Sequence, residues 1–258
     1  MNDLERSSKQ NTFIPDAWGS LKAFTSARIA LGRTGIATPL KEVLDFKMCH
    51  AHARDAVYSV LEIDALEEAL QQFHSSVLIV SSRASDRTVY LQRPDYGRNL
   101  DNASANNLKN ESSYSVDVVI IIADGLSATA INKHAMQLLK KLIPLLKQSV
   151  LTIAPLVIAQ QARVAISDEI GSLLNAKLSL ILIGERPGLS SPDSMGAYIT
   201  FRPSPGTTDE SRNCVSNIRP EGLGYDLAAE KIAKLIRASL QLKLSGIMLK
   251  DEEQNLVQ

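Results

Sequence analysis

Apolar positions along this 258-residue chain follow two patterns, helical spacing in the first part and short continuous runs in the second. From Pro39 onward, Leu40, Val43, Leu44, Met48 and Ala51 recur at three and four residues, the stripe of one helical face. Thr38 stands as a cap and Pro39 at the first helical position, so a helix is predicted to about Val60. Upstream, Trp18, Leu21, Phe24 and Ile29 keep rough helical spacing until Gly32 and Gly35 interrupt it, which predicts a helix and a glycine-rich turn. A second helical piece is expected from Asp64 to Phe73. Ser76 to Val80 and Thr88 to Leu91, joined by a polar turn containing Ser85-Asp86, read as a β-hairpin.

Residues 99–115 are the most polar stretch, and the domain boundary is placed there. This gives a helical and hairpin region over 1–108 and a second domain over 109–258. Beyond the boundary, Val116 to Ala123 is almost wholly apolar, as a strand covered on both faces must be. Asp124-Gly125-Leu126-Ser127 breaks it before a long helix to about Lys147, with Pro144 a candidate early stop. Val150 to Ile158 is a second strand whose pairing Pro155 would limit. Ser167 is expected to cap a short helix with Asp168 and Glu169 in its first turn. Leu178 to Ile183 is a third strand, Ala197 to Phe201 a candidate fourth, and Ala228 to Leu242 an amphipathic helix. The alternation predicts an α/β, Rossmann-like, mainly parallel sheet with covering helices. Three or four such units fall short of the eight of a complete (β/α)8 barrel.

At 45% hydrophobic residues, a chain of this length can bury a sizeable core. Balanced charge, 28 basic against 28 acidic residues, removes the electrostatic argument for nucleic acid or an anionic membrane as main partner. Cys49 and Cys214 form no Cys-x-x-Cys pair, so neither a disulfide scaffold nor a zinc site is suggested, and a reducing cytoplasm is expected. Met1 to Gln10 lacks the apolar core of a secretory signal, and no run reaches the roughly 18 apolar residues of a membrane span.

Candidate chemistry concentrates where the Leu178 run ends in Gly184-Glu185-Arg186-Pro187-Gly188-Leu189. A carboxylate and a guanidinium then stand at a strand's carboxyl end, the edge where open α/β sheets bind ligands. The plain alternative is an internal ion pair that shapes the loop. Arg212 to Gly222 is polar and small, without core periodicity, and reads as a recognition segment. Asp124, Ser127 and Thr129 are best explained as a tight turn with a helix cap. His52 and Asp55 share a helical face and read as solvated. His50, His52, His74 and His134 all lie far upstream of Cys214, which argues against an activated thiolate. Gly-x-Gly-x-x-Gly, the phosphate-loop Gly-Lys-Ser and Gly-x-Ser-x-Gly are absent.

Gly184-Glu185-Arg186-Pro187-Gly188-Leu189 and Cys214-Val215-Ser216-Asn217-Ile218 closely resemble the light chain, or small subunit, of ethanolamine ammonia-lyase. The resemblance extends to Ala27-Arg28-Ile29-Ala30-Leu31-Gly32-Arg33-Thr34-Gly35, Arg93-Pro94-Asp95-Tyr96-Gly97-Arg98, Ile122-Ala123-Asp124-Gly125-Leu126-Ser127 and Ser245-Gly246-Ile247. It therefore covers nearly everything after the first two dozen residues. It implies a subunit that holds one side of adenosylcobalamin (coenzyme B12) while a separate large subunit converts ethanolamine to acetaldehyde and ammonia. Position by position, the implied cofactor contacts are Val164 in Ala162-Arg163-Val164, Glu185 and Cys214; Arg186 and Asn213 are second-tier candidates, and no catalytic acid or base is assigned. Without the resemblance, Val164 and Cys214 would read as ordinary packing residues. The Asp-x-His-x-x-Gly string of many corrinoid-binding domains is missing, so base-on cobalamin is implied. So are inactivity of the chain alone and a higher hetero-oligomer. Family members are associated with bacterial microcompartments, but this polar leader has too little apolar patterning to be assigned as a targeting segment. The rival expectation is a stand-alone α/β module that binds a small ligand without catalysis.

Overall fold

The computed structural model describes residues 13–73, 76–111 and 114–249; the leader Met1 to Gln10 and His74 lie outside them. Described residues up to Ala53, with Gly188–Ser190, cluster as one compact unit, and those from Arg54 onward, without 188–190, form a second. In the first unit, β1 (Phe13–Ile14) pairs antiparallel with β2 (Arg33–Thr34). A 3₁₀ turn at Gly19–Phe24 with no buried residue replaces the α-helix expected around Trp18. The helix α1 (Leu40–Val57) forms as its spacing predicts, although Leu40, Leu44 and Met48 are exposed.

The second unit continues with α2 (Ile63–Leu70), β3 (Val77–Ser81), α3 (Arg87–Gln92), α4 (Asn102–Glu111), β4 (Val116–Ala123), α5 (Ala128–Gln148) and β5 (Leu156–Gln160). It ends with α6 (Ile166–Leu173), β6 (Ala176–Gly184), β7 (Met195–Phe201), β8 (Arg212–Ile218) and α7 (Tyr225–Leu242). A six-stranded sheet runs in the order β3-β5-β4-β6-β7-β8. The first four strands are parallel, and β7 and β8 are antiparallel additions. The α/β class and mainly parallel sheet are as expected.

Alternate side chains of β4 feed two cores. Val118, Ile120 and Ile122 pack with α2, α5 and α7 on one face. Val119, Ile121 and Ala123 pack with α4 and α6 on the other. Burial on both faces is why β4 is an unbroken apolar run.

Several elements depart from the sequence pattern, each for a local reason. Thr88 to Leu91 is helical rather than one arm of a hairpin, because the Asp86 carboxylate accepts the N–H of Thr88 and Val89 and so caps α3. The strand β3 pairs with β5, so residues 77–81 belong to the same sheet as the later strands, and the polar stretch after them contains α4. The helix α5 runs through Pro144 to Gln148, held by the buried Ile143 and Leu146. Ser167 lies inside α6 rather than at its cap, and its hydroxyl is buried without a partner among the described residues.

Arg212 to Ile218, read as a recognition segment, is the edge strand β8. Its register against β7 slips between Met195 and Ala197, and Asn217 sits at φ 58°, the geometry of a bulge. One extra residue destroys the two-residue period, and the strand loses its signature.

Candidate functional site

Asp124 ties together the carboxyl ends of β4 and β5. Its carboxylate accepts the N–H of Gly125, Gln161 and Ala162, each at 2.9 Å, with Arg87 Nη1 at 3.6 Å. Burial pushes this carboxyl up, against the pull of those donors and of Arg87. Gly125 has φ +58°, and a Cβ there would lie 2.2 Å from the Gly184 carbonyl oxygen, which accepts Leu126 N–H at 2.9 Å. Ser127 caps α5 by accepting Ala130 N–H and donates its hydroxyl to the Pro192 carbonyl. This is the tight turn with a cap that the sequence predicted, and it fixes the base of the loop that follows β6.

Beside it lies a cavity of about 380 Å³, whose lining includes Arg98, Arg163, Val164, Tyr198 and Cys214. Val164 and Cys214 are 50 residues apart in sequence and share this wall. The loop carrying Val164 is seated on Pro94 to Arg98: Gly97 carbonyl accepts Arg163 N–H at 2.7 Å. A Cβ at Gly97 would be 2.9 Å from Arg163 Cγ and 3.0 Å from the Tyr90 ring, so that contact requires glycine. The Arg163 guanidinium covers the buried Tyr90 ring at 4.1 Å, and the Tyr90 hydroxyl donates to Ala162 carbonyl at 3.1 Å. Val164 carbonyl accepts Ser167 N–H at 3.1 Å.

Tyr198 on β7 and Cys214 on β8 are direct cross-strand partners. Burial, together with the neighbouring Cys214, pushes the Tyr198 phenol above its ordinary value. Cys214 is exposed as a residue, yet partial desolvation of its sulfur raises the thiol, and the Glu185 charge adds to the effect. A thiol in this setting stays protonated at neutral pH, which argues against nucleophilic catalysis.

Glu185 follows the last residue of β6. Its N–H donates to Ser194 carbonyl at 2.9 Å, and its carboxylate accepts the Ser194 hydroxyl and, at 3.3 Å, Asn217 N–H. The β8 bulge thereby turns a backbone donor out of the ladder and toward Glu185. Gly196 leaves room for the carboxylate, since a Cβ there would meet Glu185 Oε1 at 2.9 Å. The field of Glu185 reaches both Tyr198 and Cys214.

The secondary candidates separate. Arg186 is exposed and has no hydrogen bond or ion pair among the described residues, so the internal Glu185–Arg186 pair does not form. Asn213 is committed to the carboxyl-terminal segment, donating to the carbonyls of Gly246 and Leu249, both at 3.1 Å. His52 and Asp55 are both exposed. No group of three or more His, Cys, Asp or Glu among the described residues is arranged to hold a metal ion.

Three cavity residues were not singled out as candidates from sequence. Arg98 and Arg163 were visible only as members of the quoted strings Arg93 to Arg98 and Ala162-Arg163-Val164, and Tyr198 only as a strand residue. Beneath them, Arg212 Nη1 and Nη2 grip the Asp168 oxygens at 2.6 and 2.7 Å, joining β8 to α6 in a buried pair.

A family model described as ethanolamine ammonia-lyase light chain (EutC) matches residues 15–250. The ethanolamine ammonia-lyase small subunit of Pseudomonas aeruginosa strain PAO1 is 47% identical over 257 residues, covering 98% of this chain and 92% of that protein. The small subunit of Xanthomonas campestris pv. campestris is 47% identical over 240 residues, 92% of this chain and 88% of that protein. That of Azotobacter vinelandii is 48% identical over 238 residues, with 91% and 88% covered.

Proposed function

The chain belongs to the ethanolamine ammonia-lyase light-chain family, and on that premise we propose that it holds one side of adenosylcobalamin at the wall formed by Val164, Tyr198 and Cys214, with Glu185 beside it. The supporting observation is the convergence of Val164 and Cys214 on one cavity whose electrostatics Glu185 shares. A large-subunit partner follows from the small-subunit character of the family.

The residues present suit the group. A corrinoid has a flat macrocycle with methyl groups and a rim of amide side chains, so it needs apolar contact and both kinds of hydrogen-bonding partner. Val164 and Tyr198 offer the apolar surface. The N–H of Val164 donates to no group among the described residues, and so is free for an acceptor of the coenzyme. Glu185 is an acceptor suited to an amide N–H. A volume of about 380 Å³ takes part of such a molecule, in keeping with a wall completed by the large subunit. His50, His52 and His134 lie outside this wall, so cobalamin keeps its own lower base in this reading.

The bound group supplies the radical chemistry that converts ethanolamine to acetaldehyde and ammonia. This chain binds and orients it and contributes no acid or base to the substrate. Catalysis requires both subunits, with the complex cytoplasmic or enclosed in a microcompartment; among the described residues no helix is long and apolar enough to cross a membrane. Coenzyme titration of the reconstituted complex tests the reading. Glu185→Ala should weaken coenzyme binding by about tenfold, the scale of one lost charge-assisted hydrogen bond, with a smaller change in KM for ethanolamine. An unchanged coenzyme titration rejects the role, and turnover of ethanolamine by the purified chain alone rejects the division of labour.

A further inference from the structure

The cavity wall holds two guanidinium groups that no carboxylate among the described residues neutralises. Arg98 is exposed there, and neither it nor Arg163 forms an ion pair among the described residues. Among the described residues Arg163 makes one side-chain hydrogen bond, from Nη2 to Tyr90 carbonyl at 3.2 Å, while its Nε is buried with no partner. Arg212, also in the lining, contrasts with both, because its charge is matched by Asp168 at 2.6 Å. The one carboxylate in the lining, Asp209, is 91% exposed at its side chain and leans toward Arg212 Nε at 3.4 Å. On the same wall the N–H groups of Val164 and Ala165 precede the first turn of α6, donate to no group among the described residues, and stand at the positive end of its dipole.

Two unmatched arginines beside two free backbone donors make a concave region of positive potential with fork-like donors. That geometry favours a tetrahedral oxyanion over a carboxamide, because guanidinium and phosphate pair through parallel hydrogen bonds. We infer that Arg98 and Arg163, with the Val164 and Ala165 N–H groups, form a phosphate subsite within this cavity. Resting on the cobalamin reading, its occupant is the phosphodiester that links the corrin side chain to the lower nucleotide. A free phosphate or phosphomonoester has the same chemistry, so the test must separate the two sources.

The complex with the large subunit is titrated by absorbance with cyanocobalamin and with dicyanocobinamide, which lacks the phosphate and nucleotide. Arg98→Met should weaken cyanocobalamin binding about tenfold or more, one charge-assisted contact, and leave dicyanocobinamide unchanged. Glu185→Ala should weaken both corrinoids, because it acts on the corrin side of the wall. Equal loss of both corrinoids in Arg98→Met, or no loss of either, overturns the subsite while leaving the cobalamin reading intact. Arg163→Met should repeat the selective loss; because Arg163 also packs on Tyr90, the exposed Arg98 carries the test if that variant fails to assemble. Should neither corrinoid bind the wild-type complex, the cobalamin reading fails and phosphorus NMR of inorganic phosphate decides the subsite. Line broadening by wild type that Arg98→Met abolishes then assigns it to a free phosphate, and no broadening overturns it.

Discussion

Removing Asp168 isolates how much the floor of the cavity owes to one buried ion pair. Both side chains of the Asp168–Arg212 pair are 2% exposed, and the guanidinium reaches both carboxylate oxygens at 2.6 and 2.7 Å. In Asp168→Ala the guanidinium would keep only Thr200 Oγ1 at 3.1 Å, Thr207 carbonyl at 2.8 Å and the exposed Asp209 at 3.4 Å. Taking away one member of such a pair strands the other charge out of water, a cost of about 3–5 kcal/mol. Against a total stability of about 5–15 kcal/mol, the variant is expected to lose much of its margin. Urea unfolding followed by far-UV circular dichroism measures it as a shift in midpoint at constant slope.

The pair itself need not stabilise relative to apolar residues, because desolvation offsets most of the attraction. The double variant Asp168→Leu with Arg212→Met should therefore be more stable than either single variant. A single-variant cost below about 1 kcal/mol, or a double variant whose loss equals the sum of the singles, would refute the view that the stranded charge dominates.

Two other perturbations bear on the frame of the site. Gly125→Ala forces a side chain onto φ +58° and against the Gly184 carbonyl, and should cost more than about 2 kcal/mol in the same assay; a neutral result would mean that the turn can relax. His134 is held below its ordinary value by burial, and its Nδ1 meets the Tyr225 hydroxyl at 2.8 Å. Its folded-state pKa is thus below the unfolded one, so the unfolded chain binds more protons just below the ordinary histidine range. Stability should fall as pH drops through about 6.5 and below, and His134→Gln should flatten that slope in unfolding experiments from pH 7 to pH 5; identical slopes would exclude the histidine as the cause.

The legible parts of the fold were those where burial dictates composition. Both β4 and β6 are covered on two faces and so appear as continuous apolar runs. Thr88 to Leu91 has strand-like composition, yet the two N–H groups accepted by Asp86 are worth more to this segment than its propensity. Pro144 would stop an isolated helix, but the residues after it are anchored in the core. Among the proposed cofactor contacts, Glu185 was singled out from sequence because a charged residue stood where an apolar run ends. Val164 and Cys214 were not, because a valine and a cysteine usually mark packing, and only the family resemblance singled them out. Arg98, Arg163 and Tyr198 depend on three segments meeting in space, which no local pattern encodes.

The location of the cavity follows from how the sheet was extended. On one face of β7 and β8, Ala197, Ile199 and Val215 are buried in the core that includes α7. Tyr198 and Cys214 point to the opposite face, where α6 is occupied with β6 and only the residues just before it, Val164 and Ala165, reach the lining. Adding two antiparallel strands to a parallel sheet therefore supplies a floor without supplying a helix to cover it. The bulge at Asn217 then turns a donor toward Glu185, and the Asp168–Arg212 pair locks the new strand to α6. The same residues that cost β8 its periodicity thus hold Glu185 and the Cys214 wall together, which is why this segment was hardest to read as a strand.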